Sequence, residues 1–495
     1  MWAMSLIHRL EDSRIRSLVA TARDRLAQAG VDYGDVRWVD REQETLVTRN
    51  EDVDQVTRVR DVGVGVRVLL GGAWGYAATS QLTEANIGRT VEVAVAAARG
   101  QGGAARRPSA LEARHPSTGR FATPITRCPF DDVSLEEKLD LLLTATRTML
   151  GTPGIVAARG NTVSLRTHTW LMSTDGVDIA QRLQQTGGGI TATAEHGGEV
   201  QQRSYPKHFE GNLLGGGWER VLALDLTGNA ARVAAEAVEL SRAPACPAVD
   251  AATIILDGSI LSLQVHESCG HPTELDRALG EEISLAGGSF LTPDRLGEDF
   301  EYGAPIVNLY ADSTSEGGCG TFGWDDEGTP AHRTDIVRAG RFVGYHSGRE
   351  AAARVGVPAA GSLRADGWRN VPIVRMINLN LEPGSWRLDD LIADTDHGYY
   401  ISGSKSWSID DLRINFQFGC ESAREIRGGK LGRVLKNPIY TGITPRFWRG
   451  CDAICNQDAW QMWGFLQCGK GDPMQLMHVS HGVAPARFRG VRLGG

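Results

Sequence analysis

Four valines at every second position, Val62, Val64, Val66 and Val68, alternate with Gly63, Gly65 and Arg67. A period of two puts one set of side chains on each face of an extended chain, and no helix satisfies it. Gly71-Gly72 then leads into Ala73-Trp74-Gly75-Tyr76, so the stretch reads as strand, turn, strand. The same pattern recurs along the chain. Sixty glycines among 495 residues, without a collagen-like period, fall mostly between β-type runs and mark turns, bulges and close backbone approaches.

Helices interrupt the strands mainly in the first half. Arg14 to Ala29 carries Ile15, Leu18, Val19, Ala22 and Leu26 on one stripe, with Gly30 as a stop. Thr83 to Ala98 is a second amphipathic helix, and Ser134 with Glu137 forms a capping box for a third. Residues 154–205 read as a β-meander with turns at Asp175-Gly176 and Gly197-Gly198, and Gly217 to Ala243 as one further helix. Residues 101–123, rich in Gly, Ala, Arg, Pro and Ser, read as a mobile linker. Pro244 and Pro247 flank a boundary. The expected fold class is α+β: a mixed α/β N-terminal domain, residues 1–245, followed by a β-dominated C-terminal domain, residues 246–495, with one clear helix near Ser259.

A net charge of −8 argues against a nucleic-acid partner. No apolar run approaches a membrane span, and charges at Arg9, Glu11, Asp12, Arg14 and Arg16 argue against a signal peptide. Eight cysteines in so long a chain are expected to be reduced, and the expected location is the cytoplasm.

The chemistry-bearing motif is His266-Glu267-Ser268-Cys269-Gly270-His271. Imidazole is a good zinc ligand, and a neighbouring carboxylate can act as base on metal-activated water. The spacing is awkward, because residues i and i+5 lie roughly 140° apart on a straight helix. The helix must therefore end or bulge between them. Gly270, able to turn left-handed, and Pro272, which disfavours helical geometry at His271, suggest that it ends there. Ser259 is the expected cap at its start. A catalytic zinc needs a third protein ligand, and Cys269, Cys319, Cys420, Cys468, His478 and His481 are candidates that spacing alone does not separate.

His266-Glu267-x-x-Gly270-His271-x-x-Glu274 resembles the signature of the TldD/PmbA peptidase family, in its motif-bearing TldD-like branch. The segments Val64–Val68, Trp74–Tyr76, Gly323–Pro330, Gly340–Tyr345, Arg375–Asn378 and Cys468–Gly471 fit the same family in order. The resemblance implies a two-lobed fold whose β-rich C-terminal domain carries zinc on His266, His271 and Cys468, with Glu267 as the catalytic carboxylate. It also implies cleavage of short or unfolded peptides, and dimers formed with a second copy or with a motif-lacking sister subunit. Pro272, Cys269 and the stretch holding Cys451 and Cys455 depart from the family pattern.

Glu267 then serves as the base, Lys470 as a cation near Cys468, and Arg375, His397, Tyr399 and Tyr400 as candidate oxyanion donors. Asp325-Asp326-Glu327 reads either as an amine-recognition or histidine-supporting run or as a solvated turn, and Glu274 as a histidine support. Two rival functions remain: a non-catalytic zinc-stabilised peptide-binding or regulatory subunit, and a zinc amidase acting on a non-peptide substrate.

Overall fold

The computed structural model describes residues 13–101, 108–208, 211–297 and 300–494. Two expectations fall partly outside them, at residues 1–12 of the charged N-terminal stretch and 102–107 of the linker.

The alternating valines lie on strand β2 (Asp52–Leu70), which pairs antiparallel with β1 (Tyr33–Arg49) and β3 (Ala73–Thr79). Gly71 and Gly72 make the turn at φ +59° and +78°, where a side chain would be strained. Val64, Val66 and Val68 are buried against helices. The glycines between them face the other way: a Cβ at Gly63 would stand 2.3 Å from the Trp368 ring. Alternation thus encodes a sheet pressed on two different layers.

That sheet has eight strands, in the order β3-β2-β1-β5-β6-β4, with β7 and β8 also paired to β6. Its further members are β4 (Thr118–Ala122), β5 (Ile155–Ser173), β6 (Asp178–His196), β7 (Glu199–Tyr205) and β8 (Asn212–Gly215). Helices α1 (Ser13–Gln28) and α2 (Glu84–Gln101) cover Val36, Val66 and Met172. Helix α3 (Leu135–Leu150) and a later helix, Leu226–Arg242, cover Leu46, Ala158 and Ile190. Register places these strand residues on one face, so both helix pairs sit on the same side of the sheet. The opposite face meets the C-terminal half through ion pairs, among them Arg37–Asp326 at 2.6 Å and Arg67–Glu327 at 3.3 Å.

Three expectations change. Ser134 does cap α3, its Oγ accepting the Glu137 N–H at 3.1 Å, but the Glu137 carboxylate bonds Arg127 instead of closing the box. The helix expected over 217–243 is two, α4 (Glu219–Ala223) and α5 (Leu226–Arg242), because Asp225 at φ 46° caps the second with its side chain. The described part of the expected linker is tied down: Ser109 donates its N–H to the Gly72 carbonyl, and β4 pairs in parallel with β6.

The second half is β-rich. Strands β9 (Val249–Leu256), β10 (His397–Ile409), β11 (Asn415–Arg427), β12 (Lys430–Lys436), β13 (Ile439–Ile443), β14 (Cys451–Ile454) and a last strand, Ala486–Leu493, form one sheet. The last strand joins β9 to β13, and β10 pairs with both β9 and β11, so five strands close a ring. Ile254, Ile401, Phe418, Tyr440 and Phe488 belong to its core. A separate hairpin, β15 (Gln461–Lys470) with β16 (Gln475–Val483), delivers Cys468.

Candidate metal centre

Strand β9 runs straight into helix α6 (Gly258–Val265), buried along its whole length. Its cap is Asp257, not Ser259: the carboxylate accepts the N–H groups of Ser259 at 2.9 Å and Ile260 at 3.3 Å. The helix does not end at the motif. His266–Gly270 form a single π turn, with the His271 N–H bonded to the His266 carbonyl, and His271–Thr273 a 3₁₀ turn. His271 keeps helical angles, φ −55° and ψ −42°. The wider i→i+5 turn absorbs the extra residue and brings the two imidazole centroids to 4.9 Å. Gly270 serves differently from expected. Its φ is −75°, but a Cβ there would stand 1.9 Å from Met376 Sδ. Thr273 Oγ1, 2.8 Å from the Cys269 and Gly270 carbonyls, satisfies the altered backbone.

His481 Nδ1 lies 3.0 Å from the Leu379 carbonyl, which can only accept. His481 therefore carries its proton on Nδ1, and burial holds its pKa down to about 3, so the ring is neutral. Its bare Nε2 must then accept from His266 Nδ1, 2.8 Å away. Similarly, His271 Nδ1 donates to the Glu274 carboxylate at 2.9 Å. Burial depresses the pKa of both motif histidines well below the usual value. Each is thus a neutral imidazole with an unprotonated Nε2.

Cys468 completes the cluster. One ligand atom from each of His266, His271 and Cys468 lies within 4.8 Å of the others, and Cys468 Sγ is 3.7 Å from His271 Nε2. Burial pushes the thiol up to about 11, so a cation must replace the proton for it to act as thiolate. Two imidazole nitrogens and one sulfur, all buried, fit a metal ion that keeps one position open. Lys470 does not assist the sulfur as expected, because its ammonium is buried on Asp276 at 2.6 Å. Arg375 donates to the carbonyls of Cys468 and Gln475, clamping the hairpin that presents the thiol.

Glu267 follows His266 in the π turn and is buried as well. Burial raises its pKa, and Arg413 is its ion-pair partner at 3.4 Å. Neither Arg413 nor Trp407, whose indole also reaches the Glu267 carboxylate, stands out in the sequence, because the β10–β11 hairpin brings them from 146 and 140 residues further along the chain. Of the candidate oxyanion donors, Arg375 stands beside the cluster with both terminal nitrogens on the Cys468 hairpin, and the other three lie elsewhere. Tyr400 packs with Ile255 and Leu391, Tyr399 pairs in β10 with Ile254 of β9, and exposed His397 meets Asp396.

The remaining candidate ligands are engaged away from the cluster. Cys269 Sγ accepts from Tyr302 at 2.9 Å, Cys319 donates to the Leu213 carbonyl, and His478 bonds Gln185. Cys420, Cys451 and Cys455 are buried and unpaired. Glu274 is a histidine support, as expected. The acidic run is neither a solvated turn nor a histidine support: Asp325 accepts backbone N–H groups within its own loop, while Asp326 and Glu327 hold the N-terminal sheet through Arg37 and Arg67.

Residues 34–98, 128–243 and 250–495 match, in turn, the PmbA/TldA metallopeptidase domain 1, central domain and C-terminal domain. A metalloprotease of Methanocaldococcus jannaschii is 27% identical over 428 residues, 85% of this chain and 88% of its own. A zinc metalloprotease TldD homolog of Saccharolobus solfataricus is 25% identical over 243 residues, 49% of this chain and 51% of its own. A solved structure from Thermotoga maritima shares the fold, with TM-score 0.77 and 16% identity over 97% of this chain and 100% of that one.

Proposed function

The chain belongs to the PmbA/TldD metallopeptidase family, and from that premise we propose that it is a zinc-dependent peptidase of short or unfolded peptides, with His266, His271 and Cys468 as ligands and Glu267 as base. The supporting observation is the fixed tautomer pair, two bare Nε2 atoms beside one thiol. Zinc suits this donor set, one relative carries zinc in its name, and bound zinc would supply an electrophile and a more acidic water.

The chain's own residues do the rest. Glu267, its basicity raised by burial, takes the proton of the attacking water and passes it to the leaving amine. Glu274 and His481 hold the imidazoles in one tautomer throughout. The proposal extends to an extended peptide as substrate, and to a cytoplasmic dimer with a second copy or a motif-lacking sister chain. These last features rest on the sequence resemblance.

The test is zinc content and cleavage of an unfolded peptide by wild type, Glu267→Gln and Cys468→Ser. Wild type should carry about one zinc per chain and cleave. Glu267→Gln should keep the metal and lose activity by on the order of 10²-fold or more. Cys468→Ser should lose the metal. A Glu267→Gln protein as fast as wild type would sink the proposal.

A further inference from the structure

We propose that Arg413 is a second catalytic residue, whose guanidinium takes the anionic oxygen that develops on the scissile carbonyl; this rests on the peptidase reading above. Arg413 sits in the turn between β10 and β11 at φ +65°, in the left-handed region that non-glycine residues rarely adopt. The turn enforces that conformation. The Asp410 carboxylate accepts the Ile414 and Asn415 N–H groups at 2.7 and 3.1 Å. The Arg413 N–H bonds the Asp410 carbonyl at 2.9 Å, and Thr444 Oγ1 donates to the Arg413 carbonyl at 2.9 Å. Strain held this firmly marks a position where side-chain direction matters.

The side chain reaches Glu267 of the motif and is only 13% exposed. Its contacts among the described residues are long, NH1 to Glu267 Oε2 at 3.4 Å and NH2 to the Ala286 carbonyl at 3.4 Å, and its buried Nε has no hydrogen-bond partner among them. A buried guanidinium usually makes short, paired bonds. Arg203 of this chain does so, reaching Glu236 at 2.9 Å and Glu421 at 3.0 Å. Arg413 thus keeps donors in reserve beside the carboxylate that activates water. Fixed donors with spare capacity are what a developing oxyanion requires. Trp407, on the same hairpin, also reaches Glu267 and as a residue is 53% exposed, which marks the side open to substrate.

The electron balance is that of ordinary hydrolysis. Water loses a proton to Glu267 and bonds the carbonyl carbon, and the π pair moves to oxygen, where Arg413 meets it. The pair returns as the C–N bond breaks, and the amine leaves with the proton from Glu267.

Arg413→Asn tests this, since Asn tolerates positive φ. On the zinc-loaded protein, kcat should fall on the order of 10²–10³-fold with KM little changed. Calorimetry should show a phosphonate peptide analogue, which mimics the tetrahedral oxyanion, binding more weakly by a similar factor. Added guanidinium ion should partly restore Arg413→Gly. Undiminished kcat, undiminished analogue affinity, or loss of zinc from Arg413→Asn would each overturn the assignment. Wild type and Glu267→Gln, run in parallel, separate that failure from failure of the peptidase reading, in which those two proteins would not differ.

Discussion

The two histidines of one hexapeptide are held by opposite means. His266 leans on a neutral relay, His481 and then the Leu379 carbonyl, with Phe465 stacked on its ring at 5.0 Å. His271 leans on a charge. The Glu274 carboxylate that accepts its proton also receives the Met376 N–H at 3.1 Å and faces the fully buried Arg277 at 3.6 Å. Arg277 continues to Glu282 at 2.7 Å. A carboxylate partner makes an imidazole the more basic ligand, at the cost of burying ions that must all stay paired. A neutral relay fixes the tautomer with no charge to bury. Histidines that look alike in the sequence are therefore unequal in what the loss of their supports should do.

The sharpest break of that comparison is Glu274→Ala. It leaves Arg277 with one partner fewer and the Met376 N–H with none, and should cost about 3–5 kcal/mol in unfolding free energy. Zinc affinity, read by chelator competition, should fall roughly 10–100-fold. His481→Ala orphans the His266 Nδ1–H and takes one donor from the Leu379 carbonyl but leaves no ion unpaired, and should cost about 1–3 kcal/mol. Equal losses from the two variants would erase the distinction between charged and neutral support.

Next is the π turn that lets both histidines face one point. Gly270→Ala drives a methyl into Met376 Sδ and should destabilise by about 1–3 kcal/mol. Met376→Ala alone opens a void, but combined with Gly270→Ala it should recover part of the loss, a coupling that denaturant titrations of the double-mutant cycle would reveal. Strictly additive losses would mean the glycine is required for something other than this approach.

Most of the sheet was legible because its signals are local. Period-two valines, the Gly71-Gly72 turn and the Ser134 cap all act within a few residues. The motif histidines and Glu267 were legible as residue types, and the need for a break or bulge followed from their spacing alone. The choice of bulge over break was not, because it depends on Met376 and Tyr302, which meet the turn only in three dimensions. His481 was visible as a possible ligand and stands instead behind a motif histidine. Its ranking depends on Leu379, a strand neighbour that no spacing announces. Asp325, Asp326 and Glu327 misled for a related reason: a dense acidic run suggests water or a cationic ligand, whereas the arginines that answer two of them lie about 260–290 residues earlier.

The smallest effect expected belongs to the thiol nearest the histidines in sequence. Cys269 is fully buried, burial pushes its pKa up to about 12, and it accepts the Tyr302 hydroxyl at 2.9 Å on the side of the turn that faces the core. A serine hydroxyl can accept the same bond, so Cys269→Ser should change stability by no more than about 1 kcal/mol. Zinc content should stay at the wild-type value. Loss of zinc from this variant would mean that the π turn presents Cys269 inward when metal binds, and the division of labour between the two histidine supports would then have to include a third, sulfur-bearing arm.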